Sequence, residues 1–198
     1  LYRKKAKLVF RETNPIVKKN SWTNYIYKYI VSRVSKNIAL SYGVKKDLIE
    51  IFKVNEPKIQ VIYNPIDTKH IINNSINKNK IIKNDKIKLV AVGRLALQKN
   101  HLMIIKALSY FKSKYHENFI LDLLGDGPLS AKINEAIIEF NLDENVIMHG
   151  NVQNPYRYIS NADIMLLSSN FEGFGHVIVE SMVCKTPVIS TKVPYGPI

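Results

Sequence analysis

The stretch IKLVAVGRLALQKNHLMIIKALSYFKSKYHENFILDLLG, residues 87–125, decides how this chain folds. It opens with a run of aliphatic and β-branched residues that stops at Gly93, takes on helical spacing over about 100–115, and returns to a second aliphatic run that stops at Gly125. Strand, helix and strand in that order form a crossover unit with two parallel strands. Neither run alternates apolar with polar residues. Both faces of each strand are therefore expected to be buried, which requires helices on both sides of the sheet.

The same rhythm continues toward the C-terminus. A helix over about 129–140 precedes VIMHG (146–150), and a short helix near 155–160 precedes DIMLLSS (163–169). A helix over about 177–184 then precedes PVIST (187–191). The expectation is an α/β, doubly wound parallel sheet, whose ligands bind beyond the carboxyl ends of the strands. Upstream the chain reads as a different unit. KLVFR (7–11) and NIALS (37–41) are predicted strands, and Trp22, Tyr25, Ile26, Tyr29, Ile30 and Val34 between them follow the i, i+3, i+4, i+7 spacing of an amphipathic helix. A second helix is predicted over about 44–52, and KIQVIYNPID (58–67) supplies a further strand stopped by Pro65. The Asn- and Lys-rich stretch 68–86 lacks aromatics and reads as a surface loop or linker.

A chain of 198 residues that is 46% hydrophobic can bury a substantial core. No apolar run approaches the length needed to cross a bilayer. The opening LYRKKAKLVF has neither Met nor an apolar leader core, and the chain stops just after a predicted strand, so both ends are expected to be cut. Cys184 is the only cysteine, which rules out an internal disulfide and leaves the cytoplasm as the default location. No His stands at metal-ligand spacing with another His or Cys, so no metal site is expected. The net charge of +13 is unevenly spread: residues 1–88 hold 20 Lys/Arg and 6 Asp/Glu, a balance of +14, whereas residues 89–198 hold 9 and 10, a balance of −1. Such asymmetry suggests that the first half meets a polyanion, either nucleic acid or an anionic membrane face. The basic residues are mainly Lys in predicted helices and loops rather than Arg interleaved with aromatics on a sheet, which argues against nucleic acid.

Four strings sit where the later strands end. In VGRLALQKN, Arg94 and Lys99 follow the strand-closing Gly93, and a guanidinium fork with an ammonium point charge suits a diphosphate; alone, the string reads sooner as solvated charges at a helix start. LLGDGPL ends a strand at Gly125 and turns tightly through Gly127, with Pro128 at the first position of the next helix. In VIMHGNVQN, Asn151, Val152 and the two residues after them form a loop whose backbone could read the edge of a nucleobase or could be a plain turn. SSNFEGFGHVIVESM carries Glu172 in a glycine loop and Glu180 in the first turns of a helix opening near His176. There the backbone of Gly173, Phe174 and Gly175 can approach an anion closely, and a carboxylate one turn into the helix can accept from two ribose hydroxyls.

The ordered set VGRL…QKN, LLGDGPL, HGNVQNPYRYISNADIMLLSSNFEGFGHVIVESM and TPVISTKVPYGP resembles the C-terminal domain of retaining GT-B glycosyltransferases of glycosyltransferase family four, also called glycosyl transferases group 1. The resemblance divides the chain at 1–56, the end of a truncated acceptor domain, and 57–198, a nearly complete nucleotide-sugar-binding domain, each Rossmann-like. It implies that Arg94 and Lys99 bind the donor diphosphate, with Gly125 beside them, and that Glu180 binds the ribose. Glu172, Gly173, Phe174 and Gly175 would contact the sugar and phosphates, while Asn151 and Val152 would lie beside the base. Glu172, Arg94 and Lys99 would act in catalysis. The implied reaction moves a hexose or N-acetylhexosamine from a nucleotide-diphosphate sugar, UDP before GDP, to a glycan or lipid-linked acceptor, with retention and without metal or other cofactor. A GT-B epimerase or phosphorylase is the alternative within the same architecture. The expected partners are the donor, the acceptor and an anionic membrane surface through 1–88, in a cytoplasmic protein peripheral to the membrane.

Overall fold

The computed structural model describes residues 7–13, 21–76, 86–115 and 118–193. The chain forms two compact units, one of Leu1–Pro65, Phe171–Gly175 and Lys192–Ile198, the other of Ile66–Asn170 and His176–Thr191.

In the first unit the order is β1 (Val9–Glu12), α1 (Ser21–Arg33), β2 (Lys36–Ala39), α2 (Tyr42–Glu50), a 3-10 turn at Glu56–Lys58 and β3 (Ile59–Val61). The three strands pair in parallel in the order β1-β2-β3. Val31, Ala39, Val44, Leu48, Phe52, Val54 and Ile59 form the core. Helix α2 starts where the Ser41 hydroxyl accepts the Val44 N–H at 3.2 Å, satisfying one of the donors a helix start leaves over. The domain boundary expected after residue 56 falls short of β3, whereas this unit runs to Pro65. An apolar run tells where a strand lies, not which sheet it joins.

Helix α1 departs from its expected packing. Trp22, Tyr25, Ile26, Tyr29 and Ile30 are exposed, and of the six stripe residues only Val34 is buried. The side chains that face the core are Val31 and the half-buried Tyr27, whose ring lies between Phe10 at 5.4 Å and Phe52 at 4.6 Å. Two apolar faces exist on this helix, and the narrower one was enough to seat it.

The second unit contains α3 (Thr68–Ser75), β4 (Ile87–Val92), α4 (His101–Tyr115), β5 (Phe119–Leu124), α5 (Ser130–Glu139), β6 (Val146–Gly150), α6 (Tyr156–Asn161), β7 (Ile164–Leu167), α7 (His176–Val183) and β8 (Val188–Ser190). Its five strands are all parallel, in the order β6-β5-β4-β7-β8. One face is covered by α4 and α5 through Ile104, Ile105, Leu108, Ile133 and Ile137. On the other face, Ile159 of α6 and Val177 of α7 pack on Val90, Leu124, Met165 and Leu167. The doubly wound sheet expected from the continuous apolar runs is what forms. Strand order reverses between β4 and β7, so a crevice opens beyond their carboxyl ends.

The expected linker 68–86 is corrected in its first half. Asp67 accepts the His70 N–H at 2.9 Å and starts α3, Ile71 is buried, and α3 packs against α6 and α7. An Asx cap and one buried Ile outweigh a composition that favours a loop. The rest of that expected linker, 77–85, and the end of the last motif, 194–198, lie outside the described residues. Among the described residues no helix is long and apolar enough to cross a membrane.

Candidate functional site

To one side of that switch point, beyond β4, β5 and β6, the surface is floored by backbone. The Gly93 N–H donates to Leu124 O at 2.9 Å, Gly125 N–H to Gly150 O at 2.7 Å, and Leu95 N–H to Asp126 O at 3.0 Å, so the ends of β4, β5 and β6 are laced together. Gly125 has φ 130°, and a Cβ there would lie 2.0 Å from the Gly93 carbonyl oxygen. Only glycine fits that crossing. Gly93, with φ 155°, leaves room for the stem of Lys99, whose Cε would be 3.2 Å from an added Cβ.

Above this floor lies a pocket of about 460 Å³, lined by Val92, Gly93, Arg94, Leu124, Gly125, Asp126, Asn151, Val152 and Pro155. Four of the expected site residues, Arg94, Gly125, Asn151 and Val152, thus share one wall. The Asp126 carboxylate is turned back onto the Gly127 N–H at 2.7 Å and the Ser130 hydroxyl at 2.6 Å, which hold its pKa below the usual carboxylate range. A second cavity, about 380 Å³, lies between α4 and β4, β7 and β8. Its lining is aliphatic and aromatic except for Ser168, Ser190 and Thr191, with no charged group to meet a diphosphate.

Lys99 ends the loop after β4, and that loop is clamped to β7. The Ser168 hydroxyl bonds the carbonyls of Lys99 and Asn100, each at 2.9 Å, Asn170 N–H donates to Gln98 O at 2.7 Å, and the Asn170 amide donates to Leu97 O at 2.6 Å. Glu180, half-buried on α7, is electrostatically coupled to His176 and Lys99. Burial pushes its carboxyl up, and those two groups partly offset the shift. His101, the first residue of α4, is 3% exposed, and burial together with the nearby Lys99 lowers its pKa to about 4. It is a neutral imidazole at physiological pH, which keeps a buried positive charge away from the neighbouring Lys99.

Sequence reading missed three supports. Tyr156, just past the base-edge loop, interacts with Glu180, Cys184 and Asp67, and burial followed by those groups raises its pKa. Asn154 anchors the same loop by donating to Asn74 O of α3 at 3.0 Å, and Ser160 donates to Ser75 O at 2.8 Å. Ser168 and Asn170 hold the Lys99 loop. The one signal of Ser168 and Asn170 was position at a strand end; their partners lie 68 to 73 residues away along the chain. Among the described residues no three His, Cys, Asp or Glu side chains gather as metal ligands would.

Glu172, Gly173, Phe174 and Gly175 belong to the first unit. Glu172 is buried, the Phe174 ring lies 6.0 Å from that of Tyr63, and Gly175 takes φ 76° where the chain turns into α7.

Residues 73–198 match the family model for glycosyl transferases group 1, and residues 10–70 match that for Glycosyltransferase Family 4. The chain belongs to the group 1 glycosyltransferases. The N-acetylgalactosamine-N,N'-diacetylbacillosaminyl-diphospho-undecaprenol 4-alpha-N-acetylgalactosaminyltransferase of Campylobacter jejuni is 32% identical over 96% of this chain and 52% of its own length. The lipopolysaccharide 1,6-galactosyltransferase of Escherichia coli is 29% identical, over 81% of this chain and 44% of its own. This glycosyltransferase chain therefore spans about half the length of these relatives. Among solved structures, S. aureus TarM, crystallised with fondaparinux, alpha-GlcNAc-glycerol and UDP, aligns with a TM-score of 0.80 at 21% identity, covering 99% of this chain and 39% of that one. Anabaena HepE with UDP and glucose aligns at 0.78 and 19%, covering 94% and 53%. These likenesses show the fold, a Rossmann-like GT-B architecture with a partial N-terminal domain.

Proposed function

We propose that this chain is the donor-binding part of a retaining glycosyltransferase that moves a hexose or N-acetylhexosamine from a UDP-sugar to a glycan or lipid-linked acceptor, in cell-surface polysaccharide or glycolipid synthesis. The observation that carries the reading is the pocket beyond β4 and β5, where Arg94 stands over a glycine floor and Lys99 is held beside it. Breaking the anomeric C–O bond places negative charge on the departing diphosphate. Arg94 and Lys99 would stabilise that charge from a preorganised loop, the work a divalent cation does elsewhere. Asn151 and Val152, on the pocket wall, would meet the base, and Glu180 on α7 would accept from the ribose hydroxyls. Glu172 and the Gly173–Phe174–Gly175 backbone would face the sugar, with the acceptor hydroxyl attacking from the side the nucleotide leaves. UDP is preferred over GDP because two neighbours of the same fold were crystallised with UDP, and a lipid-linked acceptor because the Campylobacter relative's name specifies one.

Calorimetric titration of UDP and of GDP with EDTA present tests the donor reading: UDP should bind, and more tightly than GDP. Affinity that returns only on adding Mg²⁺ or Mn²⁺ would show that the cationic pair does not replace a metal. A product assay on the full protein without acceptor separates transfer from epimerisation, since an epimerase would convert the sugar unaided.

A further inference from the structure

One residue of β6 has no counterpart on β5. Leu123 pairs with Met148 and Leu124 with Gly150, so His149 stands between them as a bulge in a parallel ladder. A bulge bends its strand and re-aims the extra side chain. The bend runs into Gly150, whose φ is 65° and where an added Cβ would meet nothing within 4 Å. Glycine is needed there for its backbone angle and not for space. The re-aimed side chain is held twice. His149 Nε2 lies 2.6 Å from Asp122 Oδ1 of β5, and the imidazole centre lies 4.7 Å from that of the Tyr158 ring on α6. A carboxylate only accepts, so Nε2 carries the hydrogen of that bond. The couple sits on the sheet face that is otherwise packed by aliphatic residues such as Val90, Leu124 and Met165. Its side chains are 23% and 27% exposed, so much of the solvent is kept from the bond.

The position of His149 in the chain extends its reach to the pocket. The carbonyl of Gly150, the next residue, accepts the Gly125 N–H in the pocket floor, and Asn151 and Val152, the two after it, line the wall. The loop leaves β6 at the bulge and returns as α6, and the ring of His149 packs on the helix that ends it. We propose that His149 is a base-specificity residue: pinned to Asp122 and Tyr158, it fixes the bulge and thereby the height at which the backbone of Asn151 and Val152 meets the edge of the nucleobase. This role rests on the donor reading above, in which those two residues face the base. A loop able to slide by the bulged residue would offer its N–H and C=O groups at shifting heights and accept one base as readily as another. A pinned loop rewards only the base whose donors and acceptors match it.

Selectivity rather than stability is the readout. UDP and GDP are titrated calorimetrically against the full protein and three variants of it. His149→Met removes the donor at similar length, and His149→Gln returns an amide donor toward Asp122. His149→Met with Asp122→Leu replaces the couple by apolar side chains on an apolar face, a change that can be nearly neutral for folding. His149→Met should bring the ratio of the two Kd values about three- to tenfold closer to one, the worth of one hydrogen bond to a base edge. His149→Gln should keep the wild-type ratio. The double variant should melt near the wild-type temperature with a ratio no further collapsed than the single, because the partners act as a unit. Should the double variant not fold, the contrast between His149→Gln and His149→Met decides alone. Equal weakening of UDP and GDP by His149→Met overturns the role, as does a wild-type ratio in either methionine variant or a glutamine variant that behaves like methionine. So does a wild-type protein that binds both nucleotides alike. In all of those outcomes the donor reading stands; it fails separately if neither nucleotide binds the wild-type protein.

Discussion

Glu180 and Glu172 are eight residues apart in one motif, yet the proposed reading gives them different work. Glu180 is half-buried beside Lys99 and His176 with its carboxyl pushed up by burial. A carboxylate whose folded pKa is raised disfavours the fold when ionised, and stability is gained as pH falls through the folded value. Glu180→Gln should therefore leave the neutral-pH melting temperature unchanged or higher, while weakening UDP binding on the order of 1–3 kcal/mol through loss of charged hydrogen bonds to ribose. Calorimetry and thermal melts of one variant check both; a lower melting temperature would make Glu180 a structural anchor instead. Glu172→Gln should lower turnover in the full protein more than it weakens UDP binding, and the reverse ranking would exchange the two roles. His101 gives a pH prediction with the opposite sign. Its pKa falls from an ordinary 6.5 to about 4, so the unfolded chain binds the proton that the fold refuses, and stability is lost as pH falls through that window. Between pH 7 and pH 5 the loss from this one residue should be about 2 kcal/mol. Urea unfolding of His101→Leu should lack that increment; an identical pH slope in both proteins would disprove it. Arg94 and Lys99 were legible because a cation pair after a strand-closing glycine is a local pattern. His101 and Tyr156 were not, since nothing in their neighbouring residues encodes burial or the approach of Glu180.

The strands of the second unit were legible as elements because burial on both faces leaves runs of aliphatic residues that no loop would carry. Helix α3 was not. Its sequence offers Asn and Lys, and it is helical because Asp67 caps it, Ile71 is buried, Asn154 and Ser160 donate to the carbonyls of Asn74 and Ser75, and the helix packs against α6 and α7. The periodicity of α1 gave a stripe without a direction, since one apolar face looks like another until both are placed against a sheet. The tightest element junction is Gly125, where a Cβ would lie 2.0 Å from the Gly93 carbonyl oxygen. Gly125→Ala should cost about 3 kcal/mol or more, through a clash with backbone at a φ that alanine avoids. Denaturant melts measure it, and a cost below about 1 kcal/mol would mean that the β4 and β5 ends part easily.

Across the whole molecule the charge is the readable quantity, and its meaning depended on where the cations lie. Non-specific attraction of an oligonucleotide to the basic first half should fall steeply as salt rises, because it rests on counterion release. UDP binding, held by a shaped pocket, should persist at the same salt. A gel shift that survives physiological salt would revive the nucleic-acid reading. The pairing of β3 with β2 shows what whole-chain reading lacks: a strand's partner is chosen by topology, which a linear string does not carry. The laced glycine floor has a consequence for how such a molecule can change. Its bonds run from amide to carbonyl and consult no side chain, so the letters above it are free to be rewritten. Residues 151–153 form a short cassette between the floor at Gly150 and the anchor that Asn154 makes with α3. A chimera that exchanges only those three residues should keep the parent's melting temperature and alter which nucleotide it favours, so that ancestry is recorded in the scaffold and diet in the cassette.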